Sequence, residues 1–356
     1  MRSIEIKTPR GIRKIGAGAP TFIVAELSGN HNGSLARAKR IIDAAAKAGA
    51  DAVKLQTYTA DTLTIDSDRK YFRLPKGSNW AGQTLYELYK NAYTPWHWQP
   101  ALKRHAEKKG LVFFSTPFDE TAVTFLEKLR APLYKIAGYE MSDFPLLRRI
   151  AKSGKPVIIS AAMATPQDIA LSVRTLRRGG AKDIIVLHCV NAYPASPHDM
   201  NVRTIPDIMR RFRVLSGLSD HSLGESAALA SVALGGSVIE KHLTLSRKDG
   251  GPDAKFSLEP EEFRHLVGRV RELEQTLGRA SYKATAGEKP NRLFKRSLFV
   301  VRDMKQGERF STENLRIIRP GHGLSPVYFE RLLGTQARKD IKRGTPVSRK
   351  LISIRV

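Results

Sequence analysis

Cysteine is almost missing from this chain, and the single one, Cys189, leaves no internal disulfide to form. A reducing compartment suits such a composition. Long apolar runs are missing too. The longest, residues 226–239, has 14 residues with two glycines among them, too short to cross a bilayer. No apolar stretch of signal-peptide type follows the basic N-terminus, so a soluble, cytoplasmic protein with no membrane partner is expected. Acidic residues are scarce: 34 Asp and Glu stand against 60 Lys and Arg, a net charge of +26. No arginine block, zinc-finger spacing or RNP-type aromatic run accompanies the excess, which argues against nucleic acid as the main partner. An anionic substrate, an anionic surface or a solvated basic face all stay open. There is no Walker loop, dinucleotide fingerprint or nucleophile elbow, and Gly321-His322-Gly323 is an isolated Gly-x-Gly.

What is present is a regular alternation. At 356 residues and 41% hydrophobic, the chain has material for a large core plus a small appendage. Apolar strand patterns fall at 21–28, 51–57, 111–118, 133–138, 156–162, 183–190, 214–220 and 237–244. Amphipathic helical patterns separate them: 34–48 with Ser34 as N-cap, 96–109, 120–129, 144–153, 166–178, 202–212, 224–234 and 260–277. A shorter one near 85–89 lies in a polar insertion. Eight strand–helix units over roughly 250 residues predict a (β/α)8 TIM barrel. A doubly wound open sheet is the competitor. Glu26, Lys54, Thr116, Lys135, Asn191 and His242 all lie at or near C-terminal strand ends. Only a barrel converges such ends on one site.

Residues 1–20 read as a β-hairpin across Pro9-Arg10-Gly11, capping the barrel bottom. The barrel is assigned to 21–280 and a linker containing Ala286-Gly287-Glu288-Lys289-Pro290 to 281–291. A small β-rich domain is assigned to 292–356. In that domain Asp303-Met304-Lys305, Gly307 and Phe310-Ser311 recur 37 residues later as Asp340-Ile341-Lys342, Gly344 and Val347-Ser348. Pseudo-symmetry is expected, with Ser311 capping a turn. This end is also the most basic: from Thr285 onward 17 Lys and Arg stand against 6 Asp and Glu.

His221 and His242 each close a predicted strand, in Gly-Leu-Ser-Asp-His and Ile-Glu-Lys-His. Two neutral imidazoles at one mouth can hold a divalent ion with open positions; each can also be an ordinary structural histidine. Lys54 and Lys135 interrupt apolar strands, where an ammonium needs an anion or a polar mouth. Together they suit phosphate or carboxylate, unless the stems merely pack and the heads snorkel. Thr116 and Ser160 offer hydroxyls at equal depth, and Asn191 and Tyr193 either bond a substrate or shape a turn. Glu26 and Glu140 are candidate bases, or partners for the lysines. His31 sits in the turn-rich loop that follows Glu26.

Residues 22–33 (FIVAELSGNHNG), 53–58 (VKLQTY), 115–118 (STPF), 134–136, 188–194, 217–221 (GLSDH), 239–242 and 251–253 (GPD) together resemble the nonulosonic (sialic-type) acid synthases. The resemblance runs over nearly the whole chain, and the C-terminal part resembles the antifreeze-like SAF domain of that family. Residues 26–32, 85–96 and 250–260 look most like its pseudaminic acid branch. The resemblance implies condensation of phosphoenolpyruvate with an N-acetylated amino sugar. It implies that His221 and His242 ligate Mn²⁺, with Mg²⁺ or Co²⁺ as alternatives. Lys54, Thr116, Lys135, Ser160, Asn191 and Ser219 would contact phosphoenolpyruvate. Glu26, Asn79, Tyr193 and Asp253 would hold the sugar, and Glu140 would handle water or a proton. Arg319 would reach the N-acetyl group from the partner subunit of a domain-swapped homodimer.

Two departures from the family pattern stand near the expected phosphate pocket. Ser160-Ala161-Ala162-Met163 replaces the common Ser-Thr-Gly-Met, and Gly138 stands where serine is common. The lost hydroxyls and close-approach glycine imply either weaker phosphoenolpyruvate binding or a shifted pocket. His221, His242, Lys54, Lys135 and Glu26 are intact, and an active enzyme is expected. The competing reading is an inactive barrel whose basic C-terminal domain binds an anionic polymer or carbohydrate.

Overall fold

The computed structural model describes residues 3–8 and 11–353. β1 (Ser3–Thr8) pairs antiparallel with β2 (Gly11–Gly16); the Pro9-Arg10 tip of the expected hairpin lies outside the described residues. Eight parallel strands then close into a barrel. They are β3 (Phe22–Glu26), β4 (Ala52–Thr57), β5 (Val112–Pro117), β6 (Tyr134–Ile136), β7 (Val157–Ala161), β8 (Ile184–Cys189), β9 (Leu215–Asp220) and β10 (Val238–His242). They follow sequence order around the barrel, and β10 returns to pair with β3. The open-sheet alternative is thereby excluded.

Helices wrap the outside at Leu35–Ala48, Gln99–Lys108, Glu120–Lys128, Phe144–Ala151, Pro166–Arg178, Thr204–Phe212, Ser226–Ala233 and Pro260–Leu277. Local chemistry sets their ends. Ser34 is extended and accepts from the Arg37 amide, while Gly49 takes a left-handed φ of 85° that stops the first helix. Thr165 and Asp168 form a capping box, and Pro166 occupies the first turn of the helix Pro166–Arg178. Ile41, Ile42 and Ala45 from the first helix pack on Ile23, Val53 and Ile239, the outward residues of three strands.

The inward face decides the function. Alternate strand residues point into the barrel. Its lower layers hold Phe22, Val24, Val112, Phe114, Ile185 and Leu187, joined by Ile4, Ile6 and Ile15 of the hairpin. The hairpin therefore seals the bottom. One or two inward steps further up, the same strands carry Glu26, Lys54, Gln56, Thr116, Lys135, Ser160, Cys189, Ser219, Glu240 and His242. The barrel is thus a dry plug below and a polar chamber above.

The chain divides into compact units Met1–Gly278 and Arg279–Val356. Within the second, β11 (Ser297–Val300) pairs antiparallel with β12 (Leu315–Ile318) over a core of Leu298, Val300, Phe310, Leu315 and Val347. The internal repeat is real in three dimensions. Lys305 pairs with Asp340 and Lys342 with Asp303, and the Gln306 and Arg343 amides donate to the same two carboxylates. Met304 bridges Ile341 between them. Ser311 caps a turn there, accepting from the Glu313 amide at 3.3 Å. Among the described residues no helix is long and apolar enough to cross a membrane.

Candidate active site

Strand register assembles the site. Glu26 lies beside both Lys54 and His242, and Ser219 lies beside Cys189 and Glu240. Lys54 Nζ is 2.7 Å from Glu26 Oε2 and 3.5 Å from Glu240 Oε1, and it donates to Thr116 Oγ1 at 3.3 Å. Lys135 Nζ donates to Ser160 Oγ at 2.7 Å and lies 3.6 Å from the same Glu240 oxygen. Gln56 donates to Glu26 Oε1 and to Ser28 Oγ, both at 3.1 Å. All four charged groups are buried.

Their charges do not cancel. Burial pushes the Glu26 carboxyl up to about 7 against the pull of Lys54, so it is only partly ionised near neutrality. Burial also raises Glu240, but Lys135 and Lys54 outweigh it and hold that carboxyl below its usual range. Burial lowers the Lys135 ammonium, while Lys54 is held above its ordinary value once Glu240 and Glu26 outweigh burial. Two lysines therefore share one Glu240 oxygen, and the Glu26 carboxyl beside Lys54 carries only part of a charge near neutrality. A buried surplus of positive charge is a site for an anion.

The histidines line the same chamber, with ring centroids 5.4 Å apart. His221 Nδ1 donates to the Val190 carbonyl at 2.9 Å, which leaves Nε2 as a free lone pair. His242 Nδ1 is buried without a hydrogen-bond partner and lies 3.9 Å from Asp253 Oδ2. Burial keeps His221 below the ordinary imidazole value, and burial with the neighbouring His221 keeps His242 well below it. Both rings are neutral donors. Among the described residues no group of three or more His, Cys, Asp or Glu could hold a metal, so a bound ion would keep open positions. Two neutral imidazoles in one chamber are a donor pair that suits a divalent cation.

Loops complete the walls. Asp253 accepts from the Ser28 hydroxyl, and burial lifts its carboxyl to about 6. Asn79 donates to the Tyr193 carbonyl at 2.6 Å. The Tyr193 ring packs at a tilt against His221 and Phe256, with centroids 4.6 and 4.9 Å away. Glu140 lies in the short turn Tyr139–Ser142 beyond β6; its Oε2 is buried and unpartnered, and burial raises the carboxyl to about 7. Asn191 accepts from the Cys189 thiol at 3.4 Å. His31 is a loop anchor: it bonds Thr94 and accepts from the Gly33 amide, and burial lowers it to about 4. The chamber measures about 430 Å³, within the usual size of a small-molecule site. A larger groove of about 1520 Å³ runs alongside, but the lysines and the histidine pair do not line it.

Of the residues expected from sequence, all but Arg319 belong to the barrel unit. Arg319 belongs to the second unit, where it is exposed and stacks over Phe294 at 6.0 Å. Glu240, Gln56, Ser28 and Cys189 are site residues that sequence reasoning missed. Strand period could have found Glu240, since it shares the inward face with His242 two residues on.

Two of the departing positions, Gly138 and Ala162, lie against one another. A Cβ on Gly138 would lie 2.7 Å from the Ala162 methyl and 3.2 Å from Asn191 Nδ2. Gly138 has an ordinary right-handed backbone, so space and not strain dictates glycine. The methyl of Ala162 fills what a serine at 138 would need. Gly138→Ser is therefore expected to cost about 1–3 kcal/mol through overpacking. Adding Ala162→Gly should recover most of it, and a double-mutant cycle of denaturant melts checks the coupling. Strictly additive costs would refute it.

A closed (β/α)8 barrel with paired lysines, glutamates and histidines gathered at its C-terminal mouth defines a barrel enzyme. The chain belongs to the NeuB family, which it matches over residues 41–282, and it carries a SAF domain at 295–352. It is 43% identical to the pseudaminic acid synthase of Campylobacter jejuni, over 91% of this chain and 94% of that one. It is 36% identical to the N,N'-diacetyllegionaminic acid synthase of the same species, over 90% and 97%. The solved N-acetylneuraminic acid (sialic acid) synthetase of Leptospira borgpetersenii superposes with a TM-score of 0.71 at 32% identity. That match covers 81% of this chain and 95% of that one.

Proposed function

We propose that the protein is a pseudaminic acid synthase. It condenses phosphoenolpyruvate with a 2,4-diacetamido-2,4,6-trideoxy hexose of the altrose type, giving a nine-carbon nonulosonic acid and phosphate. The carrying observation is the buried cationic surplus of Lys54 and Lys135 beside two neutral imidazoles in one chamber. The higher identity to the pseudaminic relative than to the legionaminic one favours the altrose-type acceptor. Legionaminic and N-acetylneuraminate synthesis are the alternatives within the same chemistry.

In this reading Lys54, Lys135, Ser160, Ser219, Thr116 and Asn191 hold the phosphate and carboxylate of phosphoenolpyruvate. Glu26, Asn79, Tyr193 and Asp253 hold the sugar. His221 and His242 would hold the divalent ion, Mn²⁺ with Mg²⁺ or Co²⁺ as alternatives, which supplies Lewis-acid polarisation of the open-chain carbonyl. C3 of phosphoenolpyruvate bonds to that carbonyl carbon, C2 takes up water, and the tetrahedral adduct releases phosphate by C–O cleavage. The lysines balance charge on the departing phosphate throughout. Glu26 and Glu140, each raised to about 7, are suited to exchange protons with the sugar oxygen and the incoming water. The same reading includes a cytoplasmic homodimer in which the partner subunit's Arg319 contacts the N-acetyl group, a role open to an exposed guanidinium.

The test is phosphate release from phosphoenolpyruvate with pseudaminic-, legionaminic- and neuraminate-type acceptors, in Mn²⁺ and after chelation. Turnover is expected to be fastest with the altrose-type sugar and to stop on chelation. Failure with every amino sugar would remove the synthase reading.

A further inference from the structure

The insertion between β4 and the helix Gln99–Lys108 contains an amphipathic helix, Leu85–Ala92, started by a Thr84/Glu87 capping box. Leu85, Leu88, Tyr89 and Ala92 recur at i, i+3, i+4 and i+7, which puts them on one face. Such a face normally packs on a core. Here no residue of the helix is fully buried and all four line the catalytic chamber, with Tyr89 also meeting Tyr58 edge-on at 5.8 Å. Leu63 and Leu74, both earlier in the insertion, line it as well, and both are only half-buried. The chamber is thus polar and charged at one end and aliphatic at the other.

Two donors beside the leucines of this wall are already committed, and the Tyr89 hydroxyl is the polar atom that its face retains. Trp80 Nε1 is bonded to the Pro252 carbonyl at 2.8 Å, and the Asn79 amide nitrogen to the Tyr193 carbonyl. A hydroxyl carried against Leu63, Leu74, Leu85 or Leu88 would lose water and gain no hydrogen bond from those side chains. A methyl would pack against them. In the synthase reading the reacting carbonyl lies by His221 and His242, in the same chamber that the insertion lines.

We propose that the face formed by Leu85, Leu88 and Tyr89, with Leu63 and Leu74, is a specificity subsite for the deoxygenated, acylated tail of the acceptor. It takes the C6 methyl and the neighbouring acetamido methyl, and it selects 6-deoxy over 6-hydroxy hexoses. The proposal rests on the synthase reading above and adds the residues that set acceptor choice.

The experiment compares kcat/KM for the 2,4-diacetamido-2,4,6-trideoxy acceptor and its 6-hydroxy counterpart, in wild type, Leu88→Asn and Leu88→Met. Wild type is expected to prefer the deoxy acceptor by roughly tenfold to a hundredfold, the range an apolar pocket achieves against one hydroxyl. Leu88→Asn should shrink that ratio about tenfold or more, chiefly through the acceptor KM, with the KM for phosphoenolpyruvate unchanged. Leu88→Met should keep the ratio. Leu88 is half-buried, and thermal melts establish that each variant is folded. Equal use of both acceptors by wild type overturns the subsite, as does a proportional loss on both in Leu88→Asn. If no sugar is turned over by wild type, the synthase reading fails and takes the subsite with it.

Discussion

Alanine in place of His242 is expected to lower phosphate release by roughly two to three orders of magnitude, the equivalent of several kcal/mol of carbonyl activation. Binding of phosphoenolpyruvate should survive, because the lysine pair that holds it is a separate set of contacts. His242 is the cleaner site for this test. Its Nδ1 has no hydrogen-bond partner, so truncation strands no polar atom. His221→Ala should lose activity to a similar degree, but it also deprives the Val190 carbonyl of its donor. Titration calorimetry with Mn²⁺ supplies a readout independent of turnover. Each alanine variant should lose the high-affinity isotherm, while phosphoenolpyruvate still raises the melting temperature. Retained metal binding and activity in both would end the assignment.

The second large effect concerns folding. Lys241 points away from the chamber, into the layer between barrel and helices. Its Nζ is 2.6 Å from Asp220 Oδ2, and it donates to the Ser222 and Gly224 carbonyls at 2.6 and 3.0 Å. Both side chains are completely buried. Asp220 in turn accepts from the Ser222 amide and hydroxyl. This cluster pins the turn that carries His221. Lys241→Met leaves a buried carboxylate without its cation, and a loss of about 3–5 kcal/mol is expected. Lys241→Met with Asp220→Asn should recover part of that, since the orphaned charge is gone while the cap to Ser222 can persist. Denaturant melts of both variants decide it. A single-variant loss under about 1 kcal/mol would show that the turn relaxes and rehydrates instead.

Local signals were strong where the physics is local. Ser34 before an apolar period and the 37-residue repeat each mark structure that neighbouring residues build among themselves. The eight strand–helix units were legible for the same reason, because a buried parallel strand and an amphipathic helix have different periods. Lys54, Lys135 and Glu26 stood out because a charge inside an apolar strand demands a partner. Glu240 escaped notice in its Ile-Glu-Lys-His setting, where its importance depends on facing inward with His242 while Lys241 faces out. Gln56 and Ser28 are ordinary polar residues until the strand register brings them to Glu26.

The amino-acid order by itself determined the barrel, the hairpin, the two-histidine mouth and the family, since each depends on spacing along one chain. Only the tertiary structure decided how those parts meet. It paired Lys54 and Lys135 with a single Glu240, and it set the Ala162 methyl where a side chain at 138 would go. It also brought the apolar face of Leu85–Ala92 to the wall of the chamber. Each of these is a contact between residues 20 or more apart in sequence. Periodicity reports which face of an element is apolar, and packing alone determines what that face meets.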